Sequence, residues 1–161
     1  MNNYRMQQRP IHLGLGATAV GQPEFTGSMD WYGDYVHRHQ SDGVEGRLVS
    51  QFNFDKPWDM WEMHPAGSEV VLCVAGRITL YQEHADGTRN RVSIEPGEYA
   101  INAPGTWHTA DIQGSATAVF IMPAWARSIG RVWLGIPRVA KLPLCACYWS
   151  CEFGLPESGR R

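Results

Sequence analysis

The chain has 161 residues, 43% hydrophobic and 19% charged, which suits one globular domain and excludes a disordered or fibrous polymer. Fourteen basic and sixteen acidic side chains leave a net charge of -2, so no broad basic field is available to hold nucleic acid. There is no apolar run of eighteen residues to span a membrane.

Residues 1–45 read as a flexible N-terminal arm. Ile11 to Val20 is mildly apolar behind Arg5 and Arg9, and Ala17-Thr18-Ala19 has the small residues of a cleavage site. His12 interrupts that stretch, which is too short for a secretory apolar region, so a reducing cytoplasm is expected. Gly14-Leu15-Gly16 has no clear strand before it and no Lys-Ser/Thr after it, and does not qualify as a phosphate loop. His37-Arg38-His39 lies among Asp34, Gln40, Ser41, Asp42 and Gly43. That loop-like composition predicts a solvated turn rather than a ligand pair.

Residues 46–123 read as short strands and turns. The predicted strands are Arg47 to Phe54, Trp58 to His64, Glu69 to Ala75, Arg77 to Glu83, Arg91 to Ile94, Tyr99 to Asn102, Trp107 to Ile112 and Ala116 to Met122. Asp86-Gly87, Pro96-Gly97 and Pro104-Gly105 supply turns between them. Seventeen glycines and ten prolines fit this pattern better than a helical bundle. The fold class is all-β, a sandwich or small barrel. His84, beside the Asp86-Gly87 turn, is expected to be exposed.

Residues 124–161 are a different kind of sequence. They carry six basic and two acidic side chains, against eight and fourteen in residues 1–123. They also hold Cys145, Cys147, Cys151, Trp125, Trp133 and Trp149. The cysteine spacing lacks the paired C-x2-C of a zinc site, and free thiols are expected. This tail is expected to be dispensable for the barrel.

Four residues form the candidate site. Glu62 and His64 are two apart on a strand and share one face. Glu69 opens the next strand, and His108 follows the Pro104-Gly105 turn. Two imidazoles and two carboxylates converging from several strands suit a divalent transition metal, the carboxylates offsetting its charge. Trp58 and Met60 share the Glu62 face and Cys73 shares the Glu69 face, so all three are candidate pocket residues or ordinary core. Trp107, next to His108, is placed to brace or shield it.

The order and spacing resemble the cupin superfamily. That family's first motif runs His-x-His, three or four residues, Glu, six residues, Gly; here His64, Glu69 and Gly76 match it. Its second motif runs Gly, five residues, Pro-x-Gly-x-x-His; here Gly97, Gly105 and His108 match. Glu62 stands where the first ligand histidine would be, and Ala103 stands where the motif proline would be. The resemblance covers roughly residues 58–123 and implies a jelly-roll barrel of the small single-domain kind. It also implies one divalent metal (Fe, Mn, Zn or Ni) on Glu62, His64, Glu69 and His108, a small-molecule ligand and a homodimer. Glu62 is read as a ligand, as an acid/base beside a three-ligand metal, or as the mark of an empty site. Activity stays open among a dioxygenase-like metalloenzyme, a metal-dependent isomerase or hydro-lyase using Glu62, and a ligand-binding sensor.

Overall fold

Period-two alternation of buried and exposed side chains decides which face of each strand turns inward. The computed structural model describes residues 3–124 and 128–131. Its elements are β1 (Ile11–Gly14), β2 (Thr18–Gly21), α1 (Met29–Arg38), β3 (Arg47–Phe54), β4 (Met60–Met63), β5 (Glu69–Ala75), β6 (Ile78–Glu83), β7 (Arg89–Ile94), β8 (Tyr99–Asn102), β9 (Trp107–Ile112), β10 (Ala116–Pro123) and β11 (Ser128–Arg131). A six-stranded sheet runs in the order β2-β1-β3-β10-β5-β8 and a five-stranded sheet in the order β11-β4-β9-β6-β7. The pairings are antiparallel, and the two sheets remain separate rather than closing into one barrel.

The core lies between the sheets. Val71 and Cys73 of β5, Ala118 and Phe120 of β10, Ile78 and Leu80 of β6, and Ala110 and Ile112 of β9 are buried in one cluster. Phe52, Phe54 and Trp58 pack against it at ring separations near those of favourable aromatic pairs: Phe52–Phe120 5.7 Å, Phe54–Trp58 5.6 Å and Trp58–Phe120 5.7 Å.

The N-terminal region is more ordered than its composition suggests. β1 pairs with β3 through Ile11↔Val49 and His12↔Leu48, so a strand does precede Gly14-Leu15-Gly16. α1 begins at Ser28, whose side chain accepts a hydrogen bond from the Trp31 N–H at 3.2 Å, a cap worth about 1 kcal/mol. Trp31 and Tyr35, one turn apart, stack at 5.7 Å and are buried against the sheet. Tertiary burial of these two rings outweighs the weak local helix preference of Gly33, Asp34 and His37. His37 and Arg38 therefore sit in the last helical turn and His39 at its cap, not in a solvated loop.

Residues 128–131 of the tail form β11, paired with β4 through Ile129↔Glu62. Residues 125–127 and 132–161 of the tail, including its three cysteines and three tryptophans, lie outside the described residues. Among the described residues no helix is long and apolar enough to cross a membrane.

Candidate metal centre

β4 and β9 are neighbours, and Glu62 lies directly opposite His108. His64 stands two residues beyond Glu62, on the same face, where the chain leaves β4. Its carbonyl accepts a hydrogen bond from the Gly105 N–H at 3.1 Å, which joins the turn before β9 to the end of β4. Glu69 belongs to the other sheet, where β5 pairs it with Asn102 of β8. The four residues thus meet between the two sheets. His64, Glu69 and His108 are 3%, 1% and 0% exposed, so whatever satisfies them must come from within.

Glu69 lies between the two imidazoles. Its Oε1 is 3.3 Å from His64 Nε2 and its Oε2 is 2.9 Å from His108 Nε2. These contacts are ionic in distance but not in direction, for neither buried Nε2 meets hydrogen-bond geometry with any partner. His108 Nδ1 lies 3.2 Å from the Thr106 carbonyl, which can only accept, so Nδ1 carries the proton. In neutral His108 the Nε2 atom then turns a lone pair toward a carboxylate. That arrangement is repulsive until a proton or a metal cation comes between them. Glu62, His64 and His108 each offer one ligand atom, all within 4.8 Å of one another. The residues present therefore fit a divalent ion: two imidazole nitrogens and the Glu62 carboxylate converge, with Glu69 beside them.

Sequence patterning gave no hint of the partners behind Glu69. Asn102 Nδ2 donates to Glu69 Oε2 at 2.9 Å, and Gln82 Nε2 donates to Asn102 Oδ1 at 2.6 Å. Gln82 also donates to the Ile101 carbonyl at 3.0 Å, so β6 holds the amide that orients the carboxylate. Both residues look locally like ordinary strand positions. Their inward parity, shared with Ala100 and Leu80, was the only available signal.

The remaining candidates divide clearly. Trp58 packs beside His108, with ring centroids 6.3 Å apart, and its backbone N–H donates to the Ala110 carbonyl at 2.9 Å. Met60 is half-buried on the Glu62 face. Cys73 shares the Glu69 face but lies four residues along β5, roughly 13 Å away. It is buried in the core with its thiol toward the Ala75 carbonyl. Trp107 alternates to the opposite face of β9 from His108 and does not brace it from within. His84 is half-buried, bonded to Thr106 Oγ1 at 3.2 Å and to Asn90 at 2.9 Å, and so is not simply solvated.

Burial opposes ionisation of Glu69, but the flanking His108 and His64 outweigh it and pull its pKa down to about 2. Burial likewise opposes a charge on His108. The Glu69 carboxylate overcomes it, with smaller help from the Thr106 carbonyl and Glu62, and raises the pKa. For Glu69 the stabilisation is present above about pH 4.5 and is lost as pH falls toward 2. For His108 it is fully present below about pH 6.5 and is lost as pH rises through the raised value. The metal-free protein should therefore melt highest between about pH 4.5 and 6.5, and added metal should carry that optimum upward. Melting scans in chelator across this range, repeated with metal, check this. A metal-free melting temperature that still rises above pH 7 would contradict it.

No protein-family model matches the chain, and no curated relative matches its sequence. Similar solved structures include hydroquinone 1,2-dioxygenase from Sphingomonas sp. TTNP3, with 4-hydroxybenzoate bound. That likeness has 14% identity and a TM-score of 0.44 over 50% of this chain and 60% of that one. A cupin-2 domain protein from Shewanella frigidimarina aligns at 16% identity and a TM-score of 0.40, over 48% of this chain and 70% of that one. Oxalate decarboxylase from Bacillus subtilis, whose Mn(II) centres have been characterised, aligns at 12% identity and a TM-score of 0.47, over 58% of this chain and 26% of that one. The chain thus spans 60% of the dioxygenase and about a quarter of the decarboxylase.

Proposed function

We propose that this cupin-type fold is a small-molecule metalloenzyme of the dioxygenase kind, holding one divalent metal through Glu62, His64 and His108, with Glu69 as a fourth ligand. The observation that carries the reading is the pair of buried, unpartnered Nε2 atoms turned toward a buried carboxylate. In the metal-free protein a proton on His108 relieves that repulsion, and a bound cation takes the proton's place. Two imidazoles and one carboxylate with open positions is the donor set that suits non-haem Fe(II).

When bound, such an iron supplies one-electron chemistry with oxygen. The chain's own residues hold, orient and exclude. The Thr106 carbonyl fixes the His108 tautomer, so that Nε2 faces inward. Asn102 and Gln82 fix the rotation of Glu69. Trp58 places an aromatic ring beside His108, and with the half-buried Met60 on the Glu62 face it suits a flat, apolar ligand better than a sugar. With both carboxylates ionised, the centre with its divalent ion carries no net charge, so it offers little attraction to a polyanion. Glu62 lies across from His108, where its carboxylate can ligate or exchange a proton with anything bound there.

The test is to load metal-free protein anaerobically with Fe(II), offer catechols and flavonoids, then admit oxygen. Oxygen consumption matched by product supports the reading. Product formed without oxygen replaces it with an isomerase or hydro-lyase. Saturable binding without turnover replaces it with a ligand-binding protein.

A further inference from the structure

A second set of ligand-type side chains lies away from this centre, where the N-terminal region docks on the six-stranded sheet. His12 of β1, His39 at the cap of α1 and Asp42 in the 3₁₀ turn that follows each present one donor atom, all within 4.8 Å of one another. His12 comes from β1, whereas His39 and Asp42 lie three residues apart in the stretch that leaves α1, so only the fold joins His12 to the other two.

Each imidazole is already held from behind. His12 Nδ1 lies 2.8 Å from the Tyr35 hydroxyl, and its Nε2 lies 2.7 Å from Asp42 Oδ2. His39 Nε2 lies 3.0 Å from Gln22 Oε1, which accepts, leaving Nδ1 of His39 as the atom with the lone pair. Metal-binding histidines are commonly fixed in this way, one nitrogen on an outer partner and the other on the ion. The Tyr35 hydroxyl can donate or accept, so it accommodates either tautomer of His12. His12 and Tyr35 are each 1% exposed, and Gln22 is equally buried, so these outer partners are rigid.

Two glycines let the His12 and Asp42 side chains lie against the backbone. A Cβ at Gly14 would collide with Asp42 Oδ2 and stand 3.0 Å from His12 Nε2. A Cβ at Gly46 would stand 2.9 Å from His12 Cε1. The protonation states are also suitable. Burial, His12 and Arg38 hold His39 below the ordinary imidazole pKa, and the hydrogen bond from His12 holds Asp42 below the ordinary carboxylate value. At neutral pH this leaves His39 neutral and Asp42 a carboxylate.

We propose that His12, His39 and Asp42 form a second divalent-metal site, of zinc type, that fastens β1 to the end of α1. Two nitrogens and one carboxylate oxygen leave a fourth tetrahedral position for water. In the metal-free state the two rings stack 3.6 Å apart, 14° from parallel. Binding fans them open at the Asp42 edge. His39 has room for this because it is half-buried at a helix cap, whereas His12 is locked in the sheet. The ion takes the place of the proton between His12 Nε2 and Asp42, and that proton moves to Nδ1.

The test uses the full chain, made metal-free and dialysed against zinc at neutral pH, as wild type, His39→Gln, His108→Ala and the double variant. The expected result is about one zinc per chain fewer in His39→Gln than in wild type, about one fewer in His108→Ala, and both losses together in the double variant. In the His108→Ala background zinc should raise the melting temperature, and His39→Gln should abolish that rise. A His39→Gln protein that holds as much zinc as wild type overturns the second site and leaves the first untouched. A His108→Ala protein that holds as much as wild type overturns the first and leaves the second. His39 is the residue to replace because a cap position tolerates Gln. If zinc leaves the melting temperature of the folded His108→Ala protein unchanged, the cluster is a hydrogen-bonded clasp and the proposal fails.

Discussion

Replacing His108 by Ala should remove the metal. His108 is fully buried, lies opposite Glu62 on the neighbouring strand, and has its only exchangeable nitrogen aimed at the candidate centre. Loss of an outer partner commonly costs a metal ten- to hundredfold in affinity. Loss of a direct nitrogen donor should exceed that, so the dissociation constant should rise by more than about a hundredfold, close to 3 kcal/mol. The measurement is metal content after exhaustive dialysis, with a thermal melt to show that the protein is folded. Because Ala leaves Glu69 with one imidazole fewer, His108→Gln, which keeps most of the side chain's volume, is the companion variant. Equal metal in wild type and both variants would remove the site. Glu62→Gln sharpens the assignment. As a ligand its loss is rescued by excess metal; as an acid/base it leaves metal in place and lowers turnover by about a hundredfold or more.

The second large effect concerns the fold. Gly76 separates β5 from β6 at φ 76°, a region that L side chains rarely adopt. A Cβ there would collide with the Ser115 carbonyl and stand 2.8 Å from the Ala116 Cα. Both obstacles are backbone, so no side chain can rotate out of the way. Gly76→Ala should cost about 2–4 kcal/mol, from left-handed strain of about 1–2 kcal/mol together with displacement of the β10 entry. At this chain length the melting temperature should fall by roughly 10 °C. A melt within about 2 °C of wild type would show that the loop moves aside at little cost. The turn also sets the start of β6, and through Ile78↔Ile112 and Gln82↔His108 it sets the position of the strand that carries His108.

Strands were legible where one face is core and the other is not. Val71 and Cys73 inward, with Val70 and Leu72 outward, define β5 from its side chains alone, and β3, β8 and β9 were bounded equally well. Trp58 to His64 reads as seven strand residues, whereas the strand itself is Met60–Met63 and its ends are held by single backbone bonds, Trp58 N–H to the Ala110 carbonyl and Gly105 N–H to the His64 carbonyl. α1 was not legible, since its stability comes from burying Trp31 and Tyr35 rather than from its own residues. The spacing of Glu62, His64, Glu69 and His108 located the residues that the fold brings together. Asn102, Gln82, His12 and Asp42 could not be found in that way, because their partners lie far away in sequence and only the packed sheets bring them into contact.

The seam between the sheets is not uniform along its length. At one end Glu69 and Asn102 of the six-stranded sheet face His108 and Gln82 of the five-stranded sheet through charge and amide hydrogen bonds. Farther along, Phe120 and Cys73 share one apolar cluster with Ile78 and Leu80. The molecule is therefore like a book whose spine is oily and whose clasp is ionic. Acid acts on the clasp first and leaves the spine closed, so the earliest opening should admit water beside β4, β8 and β9 while the apolar core around Ile78 and Leu80 stays dry. Such a partly open form would expose the ligand residues without unfolding the chain, giving an ion a way in that the closed sheets do not.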